Sequence, residues 1–219
     1  PHTGLSTITY LYQGEIVHRD SVGYHQTIRP GEVNWMTAGS GISHSERFDT
    51  IRANGGSLHG IQAWVALPEA MEEISPSFVH FDAGQLPSHQ ERGVSIKVIA
   101  GEAYGMKSQV STQSPLFYAH LDLDAGSTAE MCGGYPERAI YVAQGRVEIE
   151  GEQYEAGQMA VLASGSMGQD AGGLYVQEDG YFLCYLPDGS IVICADGSGG
   201  TSVPARRRLR PPVVAGPLE

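Results

Sequence analysis

The chain has 219 residues, 41% of them apolar and 17% charged, enough to build the core of one large or two small domains. A formal net charge of −12 repels phosphate backbones and argues against direct nucleic-acid binding. No apolar run approaches the ~18 residues that span a bilayer. No signal peptide is visible, and Cys132, Cys184 and Cys194 lack the spacing of a disulfide framework or zinc knuckle. A cytoplasmic protein with reduced, buried thiols is expected, with no membrane association.

Twenty-nine glycines and 12 prolines call for many turns and favour an all-β chain. Residues 5–18 (LSTITYLYQGEIVH) alternate β-branched and aromatic residues, turn at Gly14 and resume, which predicts two strands around a tight turn. Asp20–Gly23 is a turn, Tyr24–Ile28 a strand, Pro30-Gly31 a turn and Val33–Thr37 (VNWMT) a strand. Ala38–Gly41 (AGSG) is a glycine-rich connection that permits a close approach, and His44–Arg47 is the next strand. Residues 50–60 read as a polar loop, His59–Leu67 as a strand stopped by Pro68, and Glu69–Ile74 as one helical turn. Phe78–Phe81, Val94–Ala100 and Pro115–Leu123 are further strands, with a loop at Gly101–Gly105.

The pattern then repeats. Tyr141-Val142-Ala143-Gln144-Gly145-Arg146-Val147 echoes Tyr10-Leu11-Tyr12-Gln13-Gly14-Glu15-Ile16, and Ala156-Gly157-Gln158-Met159 echoes Pro30-Gly31-Glu32-Val33. Two copies of strand, turn, strand, turn, strand predict two tandem jelly-roll barrels, the second with an open question over its C-terminal closure. The expected boundaries are 1–110 and 111–200. Residues 201–219, with four arginines and four prolines in PARRRLRPPVVAGPLE, are expected to form an unstructured tail.

His44 and Glu46 are two apart on a predicted strand, so their side chains share a face and aim at one point. An imidazole and a carboxylate so placed suit a first-row divalent metal. Two ligands are too few, and His2 is the best candidate for a third. The second copy has no such pair, its one histidine being His120, so chemistry is expected in the first module. His18 and His25 are expected on the surface or in turns, and His59 and His80 are expected to be structural. Trp35 and Met36 are expected to pack the barrel, and Tyr10, Tyr12, Gln62 and Trp64 are candidates to line a pocket.

His2-Thr3-Gly4, Thr9-Tyr10-Leu11, Gly14-Glu15, His18-Arg19-Asp20-Ser21, Arg29–Gly39 (RPGEVNWMTAG), Gly41-Ile42, His44-Ser45-Glu46 and His59–Pro68 (HGIQAWVALP) together resemble the pirin family, bicupins of the cupin superfamily, over about residues 1–160. The resemblance implies two barrels with one mononuclear metal, usually iron, in the first. It implies a ligand set of three histidines and one glutamate from H-P-H-x-G and H-x-E motifs. Pro1-His2-Thr3-Gly4 matches all but the first residue of the former, which would precede Pro1; His44 and Glu46 match the latter. The implied metal ligands here are therefore His2, His44 and Glu46, with Fe(II) expected and nickel, copper or zinc chemically acceptable.

Pirin-like proteins with quercetin 2,3-dioxygenase activity imply oxidative ring opening of a flavonol by O2, with Glu46 as ligand or as the catalytic base that takes the 3-hydroxyl proton. The alternative is a metal-bearing regulatory protein that senses redox state and partners a transcription factor or a metabolic enzyme. A monomer is expected.

Overall fold

The computed structural model describes residues 1–162 throughout and, beyond them, the backbone of four strands between residues 173 and 207. Among the described residues no helix is long and apolar enough to cross a membrane. The first group of strands is β1 (Leu5–Gln13), β2 (Ile16–Asp20), β3 (His25–Ile28), β4 (Val33–Thr37), β5 (His44–Arg47), β6 (His59–Ala66) and β7 (Ser77–Phe81). The second is β8 (Ser88–Glu91), β9 (Val94–Ala103), β10 (Met106–Lys107), β11 (Phe117–Leu123), β12 (Thr128–Glu130), β13 (Arg138–Val142), β14 (Arg146–Ile149), β15 (Glu152–Glu155) and β16 (Met159–Leu162). β17 (Gly173–Glu178), β18 (Gly180–Leu186), β19 (Ile193–Ala195) and β20 (Ala205–Arg207) follow.

β6-β1-β4-β7 form one sheet and β3-β2-β5 a second, which together make the first barrel; β19 adds to the free edge of β6. The second barrel joins the sheet β10-β9-β11-β18-β13-β16-β20 to the sheet β12-β17-β14-β15. Residues 88–107 therefore pair with the second barrel, through the long β9–β11 ladder, although sequence order groups them with the first. In the expected tail, Ala205–Arg207 run parallel to Met159–Val161. The rest of that tail, and the region where closure of the second barrel is in question, lie outside the described residues.

The internal echo extends to hydrogen bonds. The Gly31 amide donates to Leu11 O at 2.9 Å and the Gly157 amide to Val142 O at 2.8 Å. The Arg29 amide donates to the Glu32 side chain at 2.7 Å, and the Glu155 amide to the Gln158 side chain at 2.8 Å. Residues 50–60 are not all loop: Asp49–Asn54 form a short helix, with Asp49 in its first turn, that ends at Gly55. The expected helical turn after Pro68 is a 3-10 turn over Glu69–Met71.

The two interiors differ. Phe117, Ala119, Leu121, Leu123, Ile140, Val142, Val147 and Ile149 give the second barrel an apolar core. In the first, Thr7, Thr9, His18 and Asn34 are buried polar residues. Its apolar residues Ile8, Tyr10, Val33, Trp35, Ile61, Ala63 and Val65 instead pack outward, in one cluster with Ile99, Ala100, Leu116, Tyr118 and Tyr141 of the second barrel. Trp35 thus packs between the barrels, while Met36 packs with Ala38, Ile42 and Phe78.

Candidate metal centre

Pairing of β2 with β5 is the step that builds the site. The antiparallel register sets His18 opposite Glu46 and Asp20 opposite His44, so all four side chains lie on one face. His18, His44 and Glu46 each offer a ligating atom, and these lie within 4.8 Å of one another. His18 belongs to this cluster and is 3% exposed, not a surface or turn residue.

His2 is brought in by the Ala38–Gly41 connection. Its amide donates to Ile42 O at 2.9 Å and its carbonyl accepts from the Ile42 amide at 3.0 Å. The ring centroid of His2 is then 5.0 Å from that of His44 and 5.3 Å from the Trp64 ring. The close approach expected of AGSG is real: Gly39 has φ +51°, and a Cβ there would fall 1.9 Å from Ile74 O. Only glycine fits both constraints.

His18 and Glu46 are each held by a partner. Asp20, whose side chain is fully buried, accepts a hydrogen bond from His18 Nε2 at 3.0 Å. Its other oxygen accepts from the amides of Val22 and Tyr24, both at 3.0 Å. Phe78 stacks on the His18 ring, ring centroids 4.4 Å apart. The Gln62 amide donates to Glu46 Oε1 at 2.7 Å and to Thr9 Oγ1 at 3.0 Å.

Burial pushes His44 down to about 4, with His2 and His18 adding repulsion, so the ring is neutral at pH 7. Burial also lowers His2. Burial raises the Glu46 carboxyl, partly opposed by the Gln62 hydrogen bond and by His18. Nδ1 of His44 is buried with no hydrogen-bond partner among the described residues. A neutral imidazole with an orphaned ring nitrogen, beside a carboxylate and two more imidazoles, fits a divalent cation, which would take up that lone pair and offset the buried charge.

Two of the four pocket candidates face this cluster, Gln62 and Trp64. Tyr10 and Tyr12 point to the second barrel, where with Lys97, His120 and Asp122 they line a cavity of about 330 Å³. Tyr10 Oη is 2.9 Å from His120 Nδ1, and the Tyr12 ring lies 4.9 Å from that of His59. His25 is exposed.

The Pirin family model matches residues 1–65. A pirin-like protein of Caulobacter vibrioides is 57% identical over 166 residues, which cover 75% of this chain and 58% of that protein. The chain thus spans little more than half the length of this relative. A crystal structure of quercetin 2,3-dioxygenase from Acinetobacter baumannii superposes with a TM-score of 0.75 at 30% identity, covering 84% of this chain and 65% of that one. The Escherichia coli pirin YhhW, solved in complex with nickel(II), shares the fold at 20% identity with a TM-score of 0.62, covering 84% of this chain and 72% of YhhW. With its two β-barrels and its H-x-E strand in the first of them, the chain belongs to the pirin family of bicupins.

Proposed function

We propose that the first barrel holds one divalent metal on His2, His44 and Glu46, with His18 beside it. We further propose that the protein is a dioxygenase that opens quercetin-type flavonols with O2. The observation that carries this reading is the cluster of His18, His44 and Glu46 around an orphaned His44 nitrogen, with the His2 ring 5.0 Å from that of His44. The likeness to a quercetin 2,3-dioxygenase supports the substrate class. Fe(II) is the proposed ion; the nickel complex of the YhhW structure supports a metal in this fold and makes nickel the first alternative.

When bound, the metal supplies Lewis acidity toward the flavonol 3-hydroxyl and a redox partner for O2. His44, already neutral at pH 7, presents a lone pair without first losing a proton. Glu46 serves either as a ligand or as the base that takes the 3-hydroxyl proton. Gln62 fixes its carboxylate, and Asp20 fixes the ring of His18.

The test is O2 uptake by the Fe(II)-loaded protein with quercetin, beside elemental analysis of wild type and H44A. Iron bound by wild type and lost in H44A, together with quercetin-dependent O2 consumption, is the expected result. Iron bound without O2 consumption would end the dioxygenase reading and favour a redox-sensing regulatory protein. Equal iron in both proteins would end the site assignment.

A further inference from the structure

We propose that Glu32, His80 and Asp82 form a second divalent-cation site of zinc type, independent of the first. His80 lies on β7 two residues beyond Phe78, the ring stacked on His18, and the two clusters share no residue. The site draws one ligand from the turn before β4, one from β7 and one from the residue after it.

Its geometry is that of ligands around an ion. His80 Nε2 is 3.7 Å from Glu32 Oε2 and 3.4 Å from Asp82 Oδ1. Both distances exceed the ~2.7–3.2 Å of a good hydrogen bond. Metal–ligand bonds of ~2.0–2.2 Å in a tetrahedron place ligand atoms about 3.3–3.6 Å apart, which is close to the observed spacing.

The histidine is also oriented for the task. His80 Nδ1 is 2.7 Å from Oδ1 of Asn34, a residue 5% exposed. An amide oxygen only accepts, so Nδ1 carries the proton and Nε2 is turned to the two carboxylates. Glu32 and His80 side chains are 15% and 16% exposed and Asp82 is 74% exposed, so the site has two fixed ligands and one open side for entry.

The second barrel supplies an internal control. Gln158 closes the turn equivalent to that of Glu32, with the same backbone-amide bond. A neutral amide suffices for the turn, so the carboxylate of Glu32 is not needed there. What its charge adds is directed at His80. Two carboxylates and one imidazole offset a divalent charge and leave a fourth position to water.

The experiment titrates the metal-stripped 219-residue chain with Zn2+ against a chromophoric chelator, and records thermal unfolding with and without Zn2+. H44A, which disables the first cluster, is expected to keep one tight equivalent and to gain several degrees of Tm on adding Zn2+. H44A/H80A is expected to lose both effects. D82N, which removes the charge but keeps a side-chain oxygen to cap the 3-10 turn over Ala83–Gln85, is expected to bind this equivalent at least tenfold more weakly, and carries the test if H80A does not fold. Unchanged Zn2+ stoichiometry and affinity in D82N and H80A would overturn the proposal and leave His80 as an ion-pair partner of the two acids. A single wild-type equivalent that survives H44A and weakens in D82N would instead remove the first site and leave this one standing.

Discussion

His18 and Glu46 face each other directly across the β2–β5 ladder, so the first metal cluster is set by strand register as much as by residue type. A one-residue slip of β5 would turn His44 and Glu46 to the opposite face and dismantle the cluster.

Asp20 fixes His18 and the turn that follows β2. It accepts from His18 and from two backbone amides, and its side chain is fully buried. D20N removes the charge that holds the His18 ring. Metal affinity is expected to fall by about 10–100-fold, the range for loss of an outer-shell partner. Metal titration at constant pH measures it; an affinity within twofold of wild type would mean that His18 needs no orientation.

Gln62 ties Glu46 to Thr9 inside the barrel. Q62L leaves a buried carboxylate without its donor, at a cost of about 1–3 kcal/mol if the carboxylate stays charged. The carboxyl responds by rising further, since the hydrogen bond that lowers it is gone. The expected outcome is metal binding that weakens most at mildly acidic pH. A uniform loss across pH 5–8 would argue against this account.

His120 sets an acid limit on stability. Burial, then Lys97, lowers it to about 4 from the ordinary 6.5. In the unfolded chain it protonates near 6.5 and in the folded protein only near 4, so its contribution is complete above pH 6.5 and drains away between 6.5 and 4. The shift corresponds to about 3 kcal/mol. H120F is expected to flatten the denaturant-midpoint curve across that window; an unchanged acid slope would assign the sensitivity elsewhere.

Gly39 holds the loop that presents His2 and the H-x-E strand. With φ at +51° and the Ile74 carbonyl where a Cβ would sit, G39A is expected to destabilise the fold by more than ~1 kcal/mol and to lower metal occupancy. Chemical denaturation and metal analysis on the same sample test both. A stable variant with full occupancy would show that the loop can shift without cost.

His44 and Glu46 were legible because strand alternation is local: residues two apart share a face whatever the fold does. His18-Arg19-Asp20 carries the same spacing, and that was the available signal for His18. Nothing local says that this strand pairs with His44–Arg47. Tyr10 and Tyr12 illustrate a second limit. Alternation puts them on one face and Thr9 and Leu11 on the other, but not which face is inside. In the first barrel the usual rule is blurred, since Thr7, Thr9, His18 and Asn34 share the interior with Met36 and Phe78, and the more apolar face is covered by a neighbour. Likewise the strands of residues 88–107 were recognisable in part as strands, while their membership of the second barrel depends on the distant β9–β11 ladder.

The apolar cluster that joins Ile8, Tyr10 and Trp35 to Ile99, Tyr118 and Tyr141 has a thermodynamic consequence. Neither barrel covers its own greasy face, so separating them exposes both at once. The two should therefore melt in a single calorimetric transition, with equal van't Hoff and calorimetric enthalpies, despite the repeat that built them. The half that carries the His44/Glu46 cluster borrows its solubility from the other, and a truncation that keeps only the histidines and the glutamate is expected to aggregate before it can be assayed.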